Sequence, residues 1–180
     1  FGNDGNISQE RLEDCINSDL ANNFGNLCQR VTAFAAKNCG GKIPENIEFT
    51  KDDLLILDKY KNNLNKIRSE IDNQNINYYI DYIINSLFEA NKYFNDQEPW
   101  KMKNDPVRLD TIVYTTLEIV RKVSFLLFPI IPESSLKALK IFSLEEKDIK
   151  LSSIEENDYL IKGKKINKIN ILFNKIEKND

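Results

Sequence analysis

Two short polar signatures interrupt an otherwise apolar helical pattern. The first is Asn17-Ser-Asp-Leu-Ala-Asn-Asn-Phe-Gly-Asn26-Leu-Cys-Gln-Arg30, and the second is Glu98-Pro99-Trp100-Lys101. Asn26 and Arg30 lie four residues apart, which on a helix puts an amide and a guanidinium on one face. The amide offers a donor and an acceptor; the guanidinium offers a planar fork for base edges or phosphate and a flat surface for stacking. Trp100, the only tryptophan, follows Pro99 at the end of another apolar stretch. An amide, an arginine and a rigid aromatic are the groups that hold a splayed-out RNA base by its edge and its face.

Each of these residues also has an ordinary structural reading. Polar residues on a helix face are usually solvated, and a tryptophan beside a proline is usually a buried anchor for a loop. From residue types alone both readings stay open. Tyr78, Tyr79 and Tyr82 stand at helical spacing and are assigned to packing. Asp52-Asp53 and Glu145-Glu146 read as helix-start or surface charges, because neither pair has a partner that would mark it as general acid and base.

The elements that must position these residues follow from periodicity. Ser8 is a good N-cap, after which Leu12, Ile16, Leu20, Phe24, Leu27, Val31 and Phe34 step by three or four as in one long amphipathic helix, ended by Gly40-Gly41. A connector containing Pro44 leads to Thr50 and Asp53, which resemble a capping box, and to a stripe of Leu54, Leu57, Tyr60, Leu64, Ile67 and Ile71. Ile80, Ile83, Ile84, Leu87, Ala90 and Phe94 form a third stripe. Asp105 caps a fourth helix with Pro106 in its first turn and Leu109, Ile112, Val113, Leu117, Val120 and Leu127 on its apolar face. Pro129 and Pro132 break the chain before a short fifth helix over residues 133–142. From Tyr159 onward Ile, Lys and Asn alternate without helical period, which predicts an irregular or extended tail packed on something outside this domain. The fold class is therefore all-α, an antiparallel helical bundle over 1–150 with an irregular C-terminal tail over 151–180.

The 180 residues suffice for a real core, and 41% hydrophobic with 29% charged residues is ordinary for a globular chain. Scattered Asn, Ile and Lys read as a base-composition bias of the genome, not a low-complexity tract. A net charge of −3 argues against a nonspecific basic coat for nucleic acid. A local basic face is available: residues 161–180 carry six lysines against Glu177 and Asp180, and Arg30, Lys37, Lys42, Lys101 and Lys103 flank the two signatures. Three cysteines (Cys15, Cys28, Cys39) without a paired spacing, and no histidine, argue against a zinc site and remove Cys–His and Ser–His–Asp catalysis. Cys15 and Cys28 are expected in the core, and the usage suits a reducing cytosol. The sequence contains neither a membrane-length apolar run, nor a signal peptide, nor a glycine-rich phosphate loop. Met102 is the only methionine, so the chain is expected to be a piece of a longer protein.

Read in order, these segments resemble a known family. Phe1-Gly-Asn-Asp-Gly-Asn-Ile-Ser8, the Asn17–Arg30 signature, Asn91-Lys-Tyr93, Glu98-Pro-Trp-Lys101, Arg108-Leu109, Leu126-Leu-Phe-Pro-Ile-Ile-Pro132 and Ile171-Leu-Phe-Asn-Lys-Ile-Glu177 are similar to the anticodon-binding domain of bacterial methionyl-tRNA synthetases across nearly the whole chain. The resemblance implies a helical bundle joined to a class I catalytic domain that activates methionine with ATP. It implies that Asn26 and Arg30 read anticodon bases, that Trp100 stacks on the first of them, and that Pro99 fixes the approach of its loop. The implied partners are the CAU anticodon loop of tRNA-Met and the catalytic domain, on which the tail would dock. The family's HIGH-like and KMSKS-like motifs are absent, so this stretch is expected to hold no catalytic residue, cofactor or metal and to be inactive alone. Asn174 and Lys175 stand where the family often has Pro-Arg, and the chain stops without the dimerising domain of some members, which implies a monomer. Two other readings remain: the corresponding domain of a Leu, Ile, Val or Cys synthetase, and a helical protein-interaction module.

Overall fold

The structure, a computed structural model, describes residues 8–177; the expectations for residues 1–7 and 178–180 lie outside the described residues. The Ser8 hydroxyl accepts from the Arg11 N–H at 3.2 Å and starts α1 (Gln9–Cys15). The path continues through a π-helical stretch (Ile16–Gly25) into α2 (Asn26–Asn38). The single helix expected from the apolar stepping is thus one continuous path with ten residues of wider turn. Asn23, in the wide stretch, is buried and meets α4 (Ile76–Asp96), accepting from the Asn91 amide at 2.8 Å. Gly40 and Gly41, both at positive φ, end α2 as expected.

α3 (Lys51–Asp72) begins at the Thr50–Asp53 capping box, and α5 (Pro106–Leu127) at Asp105, whose carboxylate accepts from the Arg108 N–H at 2.9 Å. α6 (Pro132–Leu139) runs into a 3-10 turn (Lys140–Phe142), close to the expected fifth helix. Among the described residues no β-strand forms; a single antiparallel bridge joins Lys42 to Lys165. The all-α bundle expected from the periodicity is the fold observed.

α5 is the centre of the bundle and packs against α2, α3, α4 and α6. Every residue from Thr111 to Leu127 is buried, not only the expected apolar face. This includes Glu118, Arg121 and Lys122, which as buried charges must be paired and hydrogen-bonded. Apart from one another and Tyr114, which donates to Glu118 at 3.2 Å, their partners lie in the tail. Arg121 donates to Glu118 at 2.6 Å and to the carbonyls of Ser153 and Glu156 at 2.9 and 3.0 Å. Lys122 donates to the Ile154 carbonyl at 2.5 Å and to Asn157 at 2.7 Å. Glu118 accepts from the N–H groups of Tyr159 and Leu160, both at 2.7 Å.

Residues 151–177 are irregular beyond short 3-10 turns, as the missing period predicts. Their packing surface, however, is this bundle: Ile154, Leu160, Ile166 and Leu172 are buried in the same core as the helices. Ile43 donates to the Lys164 carbonyl at 2.8 Å, Ile166 to Gly41 at 2.9 Å, and Ile176 to the Asn17 side chain at 2.8 Å. The tail can pack here because α5 offers it buried polar anchors that sequence spacing does not reveal. Cys15 departs from expectation too. It is exposed, because α1 buries none of its residues, whereas Cys28 is buried and Cys39 half-buried.

Candidate nucleic-acid interface

The first turns of α2 and the last turn of α4 converge beside the Glu98–Lys101 turn. Arg30, half-buried, donates from Nη2 to Asn95 Oδ1 at 2.6 Å, and its guanidinium carbon lies 5.4 Å from the centre of the Phe94 ring. Phe94 is buried and takes Phe34 edge-on at 5.7 Å and Trp100 at 6.3 Å. Arg30 and Trp100 are therefore brought together by one shared aromatic neighbour.

The Trp100 turn has local causes. Glu98 adopts a left-handed conformation (φ 44°), which costs a non-glycine residue roughly 1 kcal/mol and reverses the chain as α4 ends. Pro99, buried, starts a 3-10 turn closed by the Lys101 N–H to the Glu98 carbonyl at 2.8 Å. Trp100 is 43% exposed, so the reading as a buried anchor gives way to a supported ring with a free surface. Lys101 pairs with Glu98 at 2.7 Å, an exposed contact that adds little stability.

Asn26 stands one turn before Arg30 but faces a different place. With Asn22, Gly25 and Gln29 it lines a cleft of about 250 Å³ whose other wall is tail residues 171–175. The tail reaches it because Gly25 leaves room: a Cβ there would lie 3.3 Å from the Phe173 ring. The structure thus unites Arg30 with Pro99-Trp100 and sets Asn26 in the neighbouring cleft.

Below the turn lies a network that sequence reasoning missed. Asp53 is fully buried, not a surface charge. It accepts from Arg108 at 2.6 and 3.0 Å, from the Tyr93 hydroxyl, and from the Thr50 N–H and hydroxyl, both at 2.8 Å. Burial alone would raise its pKa, but the hydrogen bonds from Arg108, Tyr93 and Thr50 outweigh it and hold the carboxyl below its ordinary value. Burial, reinforced by the bond to Asp53, pushes the Tyr93 phenol up. The local signal available for this site was the capping-box spacing; Arg108 belongs to a segment that resembles the family, but its pairing with Asp53, 55 residues away, left none.

Among the described residues no three His, Cys, Asp or Glu side chains are grouped to hold a metal, and no helix is long and apolar enough to cross a membrane.

Comparisons with known proteins address the same surface. Residues 43–180 match the family model for the anticodon binding domain of methionyl tRNA ligase. That match contains Pro99 and Trp100 and begins after Asn26 and Arg30. The methionine–tRNA ligase of Mycobacterium leprae is 42% identical over 151 residues, covering 81% of this chain and 28% of the relative. That of Brucella suis is 41% identical over 145 residues, covering 80% and 28%. The chain therefore spans little more than a quarter of the length of these curated relatives. The apo structure of Mycobacterium tuberculosis methionyl-tRNA synthetase superposes with a TM-score of 0.91 at 32% identity, over 99% of this chain, α2 included, and 37% of that one. The same enzyme with methionyl-adenylate gives 0.89 at 32% identity, over 96% and 35%. With its all-α bundle, the chain belongs to the family of anticodon-binding domains of methionyl-tRNA ligases.

Proposed function

We propose that this bundle recognises the CAU anticodon loop of tRNA-Met. The full-length ligase, whose catalytic domain lies on the rest of the chain, then attaches methionine to that tRNA with ATP. The observation that carries this reading is the half-exposed Trp100 ring packed on Phe94, the same ring that carries the Arg30 guanidinium. A flat apolar ring already held in place loses little conformational entropy on contact with a base, and stacking contributes about 1–3 kcal/mol per base. The first anticodon base lies on Trp100, with Pro99 fixing the approach of the turn. Arg30, with donors left over from its bond to Asn95, and Asn26, in its cleft, bond the base edges. A wrong base would leave these groups unpaired in a half-buried site, and that cost produces the discrimination. Exposed Lys101, Lys103, Lys168 and Lys175 add salt-sensitive attraction for the RNA backbone.

In the same reading the bundle works in the cytoplasm as part of a monomer. The tail docks on the catalytic domain, where Ile161, 66% exposed, offers apolar surface.

The test uses Trp100 as the reporter. A 17-nucleotide stem-loop carrying CAU is titrated against the chain at low salt, with a one-base variant as control. Quenching of Trp100 by CAU and not by the variant is the expected result. Equal response to both, or binding of a fluorescently labelled CAU stem-loop that survives Trp100→Ala unchanged, would overturn it.

A further inference from the structure

Trp100 is more than two-fifths exposed, yet its ring packs edge-to-face against Phe94 at 6.3 Å. The residues just before it explain how. Gln97 is the C-cap of α4, donating its N–H to the Tyr93 carbonyl at 2.9 Å; Glu98, at φ 44°, turns the chain and Pro99 follows. The orientation of Trp100 is thus set by where the end of α4 is held. That end is tied to α5 by a side chain: Gln97 Oε1 accepts from Arg108 Nη2 at 2.6 Å.

Arg108 is itself immobilised. Its Nη1 and Nη2 donate to the two oxygens of Asp53 at 2.6 and 3.0 Å, which fixes the plane of the guanidinium. Asp53 is held in turn by Thr50 at the start of α3 and by Tyr93 on α4. Three helix ends therefore meet on one carboxylate, and Arg108 carries that rigidity forward to Gln97.

We infer that Gln97 is a positioning residue for Trp100: clamped by Arg108, it orients the aromatic ring for stacking while touching no RNA itself. This rests on the reading of Trp100 as the base platform. The clamp supplies preorganisation, since a turn already fixed in its bound geometry loses less entropy on binding.

The experiment compares Gln97→Met, which keeps length and helix propensity but removes the acceptor, with Gln97→Glu, which keeps an acceptor facing Arg108. Both are made in the 180-residue chain, with and without Trp100→Ala. Trp100 is the sole tryptophan, so its fluorescence anisotropy decay in the free protein reads the clamp without RNA. Gln97→Met should add fast local motion of the indole, and Gln97→Glu should not. Melting temperatures should stay close to wild type for both. With the stem-loop rather than the protein carrying the fluorophore, Gln97→Met should also weaken binding of the CAU stem-loop roughly tenfold, as coupled neighbours do, and should add no further loss in the Trp100→Ala background. Unchanged anisotropy with Gln97→Met, or a loss of affinity that persists in full without Trp100, would overturn the inference. If Trp100→Ala itself bound RNA like wild type, the stacking reading would fall, and the anisotropy arm would still decide whether Gln97 fixes the ring.

Discussion

Arg30 and Asn95 are joined across two helices at 2.6 Å, and the Arg30 guanidinium carbon lies over the ring of Phe94, the residue that Trp100 also packs against. One N–H is engaged and the remaining donors of the fork are free to meet a base edge. A lysine at this position would keep the charge and lose both the fork and the flat contact with Phe94. Arg30→Lys should therefore weaken binding of the CAU stem-loop by about 1–3 kcal/mol, the range of a bidentate base contact, while shifting the melting temperature little. Titration followed by Trp100 quenching measures it; affinity within twofold of wild type would remove Arg30 from the recognition set.

The Asp53–Arg108 pair makes a separate prediction about stability. Asp53→Ala leaves the buried Tyr93 hydroxyl without its acceptor and the half-buried Arg108 with Gln97 alone, and breaking such a pair costs about 3 kcal/mol. The pH dependence has a definite sign. The folded carboxyl titrates below the ordinary value of about 4, so its contribution is complete above that pH and is lost as pH falls through the lowered value. Urea unfolding of wild type and Asp53→Asn should differ most at neutral pH and converge in strong acid. A constant difference from pH 7 to pH 2 would contradict this.

What could be read in the sequence was whatever has a local cause. Ser8, Thr50 and Asp105 cap helices through bonds within three residues, and Gly40-Gly41 stop α2 through their own backbone freedom. The Asn26–Arg30 spacing is one helical turn and was equally visible. The missing features rest on distant partners. Glu118, Arg121 and Lys122 look like solvated charges until the 153–160 segment, more than thirty residues on, supplies their hydrogen bonds. Leu160, Ile166 and Leu172, buried at intervals of six, match neither a helix nor a strand template. The π stretch is hidden for another reason: the steps of four from Ile16 to Leu20 to Phe24 fit a wide turn as well as a normal one.

Lys122 predicts a stability gain on the alkaline side. Burial, helped by Arg121, lowers its pKa to about 8, against the opposing pull of Glu118, Asp58 and Glu156. The unfolded chain keeps the proton to about pH 10.4, so between pH 8 and pH 10 it binds more protons than the folded one and stability rises with pH. The rise should reach about 2 kcal/mol before tyrosine ionisation in the unfolded chain opposes it. Lys122→Met should abolish the slope. Denaturant melts at pH 7.5, 8.5 and 9.5 decide the matter, and a flat wild-type profile would contradict it.

The three thiols should react in the order of their burial. Cys15 is exposed, although its bond to Asp19 at 3.3 Å raises its pKa and slows it. Cys39 is pushed up to about 12 by burial and by Asp110, and Cys28 is pushed well up by burial alone. Brief iodoacetamide treatment at pH 7.5, followed by peptide mass mapping, should find one adduct, on Cys15. Cys28 should label only in denaturant.

The tail makes the last prediction, because it is both a structural strap and one wall of the Asn26 cleft. Leu172 is 8% exposed, and Leu172→Ala should cost about 2–3 kcal/mol from the lost burial and the cavity left behind. Asn17→Ala is gentler: it removes the two bonds to the Ile176 backbone, at 2.9 and 2.8 Å, near the surface, and should cost about 1 kcal/mol. Neither residue lines the Arg30–Trp100 cluster. If the strap only stabilises the fold, Asn17→Ala should leave RNA affinity untouched well below its melting temperature. If residues 171–175 hold the Asn26 cleft in shape, Asn17→Ala should weaken binding of the CAU stem-loop, and that loss should shrink when Asn26 is already alanine. The bonds from Asn17 close the strap one residue beyond that wall, so the second outcome is the expected one.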